Sequence, residues 1–186
     1  MVSIPSLWLP ILLAAVIVFV ASSLIHMVLG YHKNDVRKLA NEEAVSDAFR
    51  ALGIPPGDYA LPCASSTHDL KDPAFQARLA KGPIVFMTVA PGGSAGMGPA
   101  LAMWFVYCLV VGVFAAYIAG RALGPGAHYL AVFRFAGATA FLGYSLALVQ
   151  HSIWYKRSWA TTARSVFDGL IFACLTAGTF GWLWPR

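Results

Sequence analysis

Apolar and polar positions are organised on two length scales along this chain. On the long scale, four stretches run almost without charge: 7–29, 99–120, 127–150 and 165–184. Each supplies the roughly 20 apolar residues that a helix needs to cross a bilayer. Lipid cannot satisfy backbone N–H and C=O groups, so all four are expected to be helical. On the short scale, Val45, Ala48, Phe49 and Leu52 recur at i, i+3, i+4 and i+7 and stop at Gly53, which predicts an amphipathic helix. A second short helix is bounded by Asp72 as cap, Pro73 in the first turn and Gly82 beyond the end. The runs 58–64 and 83–90, punctuated by Pro and Gly, predict two extended segments that pair. "PGGSAGMGP", 91–99, reads as a hinge into the second span and lacks the GK[ST] ending of a phosphate loop.

The expected fold class is therefore an all-α integral membrane protein, four transmembrane helices with a small α+β insertion between the first two. The domains are 1–30, the insertion 31–98, and a three-helix bundle 99–186 with spans 99–120, 127–150 and 165–184. No Lys or Arg precedes the first apolar run, and that run is longer than a signal-peptide core, so it reads as a retained anchor.

Charge sets the orientation. Four crossings place both termini on one face, A, and the segments 31–98 and 151–164 on the other, B. Face B then holds ten Lys/Arg, from Lys33 to Arg164, and face A only Arg121 and Arg186. By the positive-inside rule face B is cytoplasmic and both termini lie outside the cytoplasm, as expected of a bacterial inner-membrane protein. Trp8, Trp182 and Trp184 mark face A, and Trp104, Trp154 and Trp159 lie at or toward face B. The net charge of +5 does not signal nucleic acid, because seven Lys/Arg in 31–98 are matched by seven Asp/Glu and the surplus flanks the spans. Lipid headgroups are the fitting partner.

Helices in lipid associate by close packing, which small residues at four-residue spacing permit. Three stripes are present: Gly112, Ala116 and Gly120; Ala136, Ala140, Gly143 and Ala147; and Gly169, Ala173, Ala177 and Gly181. They predict a compact bundle, a homo-oligomer, or a subunit of a membrane complex.

The candidate chemistry is sparse. Cys63, Cys108 and Cys174 are too far apart and too few for a disulfide framework or zinc knuckle. Neither GxSxG nor a dinucleotide fingerprint occurs. Arg134 lies about 10 Å inside face A and Asp168 about 5 Å inside face B, roughly 15 Å apart, so they are not expected to pair. Arg134 serves as a snorkelling anchor, an anion or lipid contact, or packs on Tyr117. Asp168, placed in the first turn of the fourth span, is favoured by the helix dipole, held ionised by Arg164, or carries a proton or cation. His26 and His151 lie on different spans at similar depth, the arrangement of a bis-histidine haem b site. His32 with Asp35, and Cys63 near in sequence, offer a metal site, although His26 and His32 sit about 120° apart on a continuous helix.

These observations lead to the expectation of a structural or accessory membrane protein that assembles with its partners through its small-residue helix faces, without catalysis or a cofactor of its own. A haem- or metal-binding redox protein using His26 and His151 is the alternative. A small transporter or channel using Arg134 and Asp168 is the third.

Overall fold

The computed structural model describes residues 1–93 and 96–186. The helices, in chain order, are α1 (Trp8–Met27), α2 (Glu42–Leu52), α3 (Pro73–Lys81), α4 (Met97–Ala122), α5 (Tyr129–Tyr144), α6 (Val149–Tyr155) and α7 (Trp159–Trp182), with strands β1 (Gly57–Leu61) and β2 (Val85–Val89). The chain divides into two compact units, one of Met1–Val36 with Gly96–Arg186 and one of Arg37–Ala95. The smaller unit thus starts six residues later than the sequence-based boundary, because Tyr31–Val36 fold with the helices.

Among the described residues, four segments are long and apolar enough to cross a membrane: Ile4–Met27, Met97–Ala122, Tyr129–Tyr155 and Trp159–Trp182. In this unit α7 lies against α1 and α5, and α4 also touches both. One apolar cluster joins Leu7, Ile11, Ala115, Ala119, Val132, Ala136 and Phe180. A second joins Val18, Cys108, Val111, Ala140, Tyr144, Phe172 and Ala173. Between helices in lipid the gain comes from dispersion at close contact, and glycine sets how close that contact is. A Cβ on Gly137 would stand 2.9 Å from Ala177 Cβ, and one on Gly112 would stand 3.3 Å from Ile11. Gly143 faces Val111, Gly169 faces Ser145, and Gly181 faces the Tyr129 ring. The small-residue stripes therefore close seams within one chain.

Two differences from the sequence reading concern the later spans. The third is not one continuous helix: α5 ends at Tyr144, a 3₁₀ turn occupies Leu146–Leu148, and α6 resumes at Val149. At the break Ser145 is fully buried and its Oγ donates to the Val166 carbonyl at 3.3 Å, beside Gly169. The interruption takes Ala147 out of the four-residue register, and it is exposed rather than part of a packing seam. The fourth helix begins at Trp159, six residues before the expected start, with Ser158 as its N-terminal boundary.

In the smaller unit the local signals hold. Asp72 accepts a hydrogen bond from the Ala74 N–H at 3.1 Å, Pro73 opens α3, and Gly82 closes it at φ +60°. Gly53 ends α2 in the left-handed region at φ +59°. Strands β1 and β2 pair antiparallel, Gly57 opposite Val89 and Leu61 opposite Val85. Phe75 is buried in this unit, whereas Phe49 and Leu52 on α2 are exposed. Part of the expected 91–99 hinge, Ser94 and Ala95, lies outside the described residues.

Candidate functional site: a histidine–carboxylate cluster at the end of the first span

Helix α1 ends at Met27, and three residues later Gly30 adopts φ +64°, a left-handed conformation that L side chains rarely take. The chain reverses there. Tyr31, His32 and Asp35 consequently return to the bundle and meet α7, instead of continuing a helix outward. The 120° separation expected between His26 and His32 does not apply once the helix has ended. Their rings stack, with centroids 4.5 Å apart and planes 7° from parallel.

Asp168 sits on α7 facing inward and is 3% exposed. It is the tenth residue of that helix, beyond the reach of the helix-dipole effect, which fades within the first turn. Nor does Arg164 hold it. Arg164 instead binds Asp35, its Nε donating to Asp35 Oδ1 at 2.9 Å and its Nη2 joining the same oxygen. The carboxylate of Asp168 is held by residues from the turn after α1. The Tyr31 hydroxyl donates to Asp168 Oδ1, and His32 Nε2 stands 2.8 Å from Asp168 Oδ2.

His32 is thus placed between two carboxylates. Its Nδ1 donates to Asp35 Oδ2 at 2.7 Å. On the other side, His32 Nε2 is at ion-pair distance from Asp168 but meets it at an angle that makes no hydrogen bond, leaving that buried nitrogen without a hydrogen-bonding partner among the described residues. A buried polar atom in that condition is uncommon in folded proteins. His26 is oriented separately: its Nδ1 donates to the Ser22 carbonyl at 2.9 Å, which turns Nε2 away from the helix backbone. One ligand atom from each of His26, His32 and Asp168 lies within 4.8 Å of the other two.

Two members of the cluster that lie outside the spans depart from their ordinary values. Burial, and then the hydrogen bond and negative charge of Asp168, push the Tyr31 phenol up to about 12. For Asp35, burial alone would raise the carboxyl, but hydrogen bonds from His32 and Arg164, with the guanidinium charge, outweigh it and hold the group below its ordinary value.

The other residues singled out in the sequence fall elsewhere. His151 lies exposed on α6 against Tyr155, with ring centroids 5.8 Å apart, and is not a member of the cluster that includes His26. The ring stacked on His26 is that of His32. Cys63 is exposed and belongs to the smaller unit. Arg134 projects from α5 at an exposed position, whereas Arg121 is the cation set over the Tyr117 ring, at 5.6 Å. Of the residues joined at the cluster, His26, His32, Asp35, Arg164 and Asp168 had each drawn notice in the sequence. Tyr31 and Ser22 had not, although a glycine closely following an apolar helix and preceding "YH" is the signal of a chain reversal that would have found the first.

Chemically, the cluster is a set of two imidazoles and one carboxylate, tied from outside by a tyrosine hydroxyl, a second carboxylate and a backbone carbonyl. It suits holding a cation, relaying a proton, or locking the chain reversal onto α7. Comparison with protein-family models, with curated proteins and with solved structures gave no match.

Proposed function

We propose that this chain is an accessory subunit of the bacterial inner membrane, a close-packed four-span body carrying the 37–95 unit on the cytoplasmic side, with both termini outside the cytoplasm. Closure of the small-residue seams within one chain supports the close-packed body, and it moves the expected partner contacts off the small-residue faces. Gly137 against Ala177, Gly143 against Val111 and Gly169 against Ser145 commit the inner helix faces to the fold itself. Association with other membrane protein then uses the outward apolar faces, such as Val106, Val110, Val113 and Phe114 on α4. The charge asymmetry between the two faces supports the orientation.

Transport gated by Arg134 and Asp168 is less well supported, because Arg134 is on the outside of the bundle and Asp168 on the inside. Haem held by His26 and His151 likewise loses ground to the pairing of His26 with His32.

Gentle extraction from native membrane followed by mass spectrometry of intact assemblies tests the proposal. The expected result is the chain in fixed stoichiometry with another integral membrane protein. A chain recovered alone that conducts protons or ions in liposomes would sink the accessory reading.

A further inference from the structure

We propose that His26, His32 and Asp168 form a binding site for one borderline divalent transition-metal ion, of which Zn²⁺ is the reference case. The site does not depend on the accessory role above, and either can fail without the other.

Three observations carry it. The donor set is two imidazoles and a carboxylate, which suits zinc, copper, nickel or iron and not the all-oxygen shells of magnesium or calcium. The spacing is close to what such an ion requires. Ligand atoms about 2.0–2.1 Å from a tetrahedral ion stand about 3.3 Å from one another, so His32 Nε2 and Asp168 Oδ2, at 2.8 Å, must open by about 0.5 Å, while the other separations, within 4.8 Å, close by no more than about 1.5 Å. Finally, each of the three residues has its other polar atom tied by an outer group. Asp35 holds His32 Nδ1, the Ser22 carbonyl holds His26 Nδ1, and Tyr31 holds Asp168 Oδ1. Metal-binding histidines are oriented in this way by a carboxylate or backbone carbonyl on the second nitrogen. Arg164 in turn fixes Asp35.

The buried His32 Nε2 without a hydrogen bond, 2.8 Å from Asp168 Oδ2, is the focus of the site. An ion there would accept the lone pair of Nε2 and one carboxylate oxygen together. Parallel rings cannot both aim in-plane lone pairs at one point, so His26 must tilt from its stacked position. It is exposed at the last turn of α1 and has the room to do so. Three protein ligands leave a coordination position for water or another small donor.

The test is titration of the full chain, purified in detergent without a polyhistidine tag, with Co²⁺ as optical probe and Zn²⁺ as competitor. The expected result is one Co²⁺ per chain, with a d–d band that equimolar Zn²⁺ removes. Asp35→Asn should weaken binding about 10- to 100-fold through loss of the orienting carboxylate. His32→Ala and Asp168→Asn should abolish the band, and His151→Ala should leave it unchanged. Since His32 and Asp168 are packed against the bundle, His26→Gln supplies a variant at an exposed position. It should keep the wild-type melting temperature while weakening Co²⁺ binding by more than about 10-fold. Absence of uptake of either ion at micromolar concentration overturns the site, as does wild-type affinity in His26→Gln or His32→Ala. A thiolate-to-cobalt charge-transfer band, which would place the ion on Cys63 or Cys174, overturns it equally.

Discussion

Two side chains near the ends of apolar helices, Arg134 and Tyr31, differ in the charge state that their surroundings favour. Arg134 is exposed on α5, five residues from the start of that helix, close enough for its long stem to carry the guanidinium toward headgroups. In the anchoring role expected from the sequence, Arg134 needs a cation and not a planar fork. Arg134→Lys is therefore expected to change thermal stability in lipid by less than about 0.5 kcal/mol, and a loss of several times that amount would indicate a bidentate anion site. Tyr31 presents the reverse case, a neutral group favoured by its surroundings. Its phenol is raised from an ordinary value near 10 to about 12, so the folded state prefers the protonated ring more than the unfolded chain does. The resulting stabilisation is fully present below about pH 10 and is lost as pH climbs toward about 12. Melting curves should shift down by about 2–4 °C between pH 9 and pH 11.5 beyond the shift seen in Tyr31→Phe. Equal alkaline shifts in the two proteins would detach Tyr31 from Asp168.

Among the elements, the junction of α5, α6 and α7 has the tightest tolerance. A methyl group on Gly169 would overlap Ser145 Oγ and press on the Tyr144 carbonyl, where the third span is already interrupted. Gly169→Ala should cost about 1–3 kcal/mol by overpacking, read as a lower melting temperature in detergent with unchanged helical content. The same substitution at Gly124, where nothing lies within 4 Å of the added carbon, is the control. Elements governed by local chemistry were legible in the sequence. Asp72–Pro73 and Gly82 bound α3 as expected, Gly53 stops α2, and the stripe Gly169–Ala173–Ala177 marks the α7 seam. The break at Ser145 was not, because it depends on Val166 and Gly169, some twenty residues distant, and a uniformly apolar run carries no local sign of it. Gly137 was passed over for a related reason: its role appears only when Ala177 is seen opposite it.

At the scale of the whole molecule, the four helices long and apolar enough to cross a membrane were readable from apolar run length alone, whereas the histidine–carboxylate cluster was readable only as unconnected members. What joins them is the reversal at Gly30, which links residues more than a hundred positions apart: Arg164 to Asp35, and Asp168 to Tyr31. Orientation remains the property with the simplest direct test. A carboxy-terminal alkaline phosphatase should be active and a fluorescent protein at the same site dark, and the opposite pattern would invert both faces. The pairing of α5 with α7 also has a consequence for biogenesis. The first two candidate spans are the more apolar, and in a membrane they are expected to insert singly. The last two carry Arg134 and Asp168 and fit each other through Gly137 and Ala177, so they are expected to partition into lipid together as a helical hairpin, in a step that awaits completion of the polypeptide's final third.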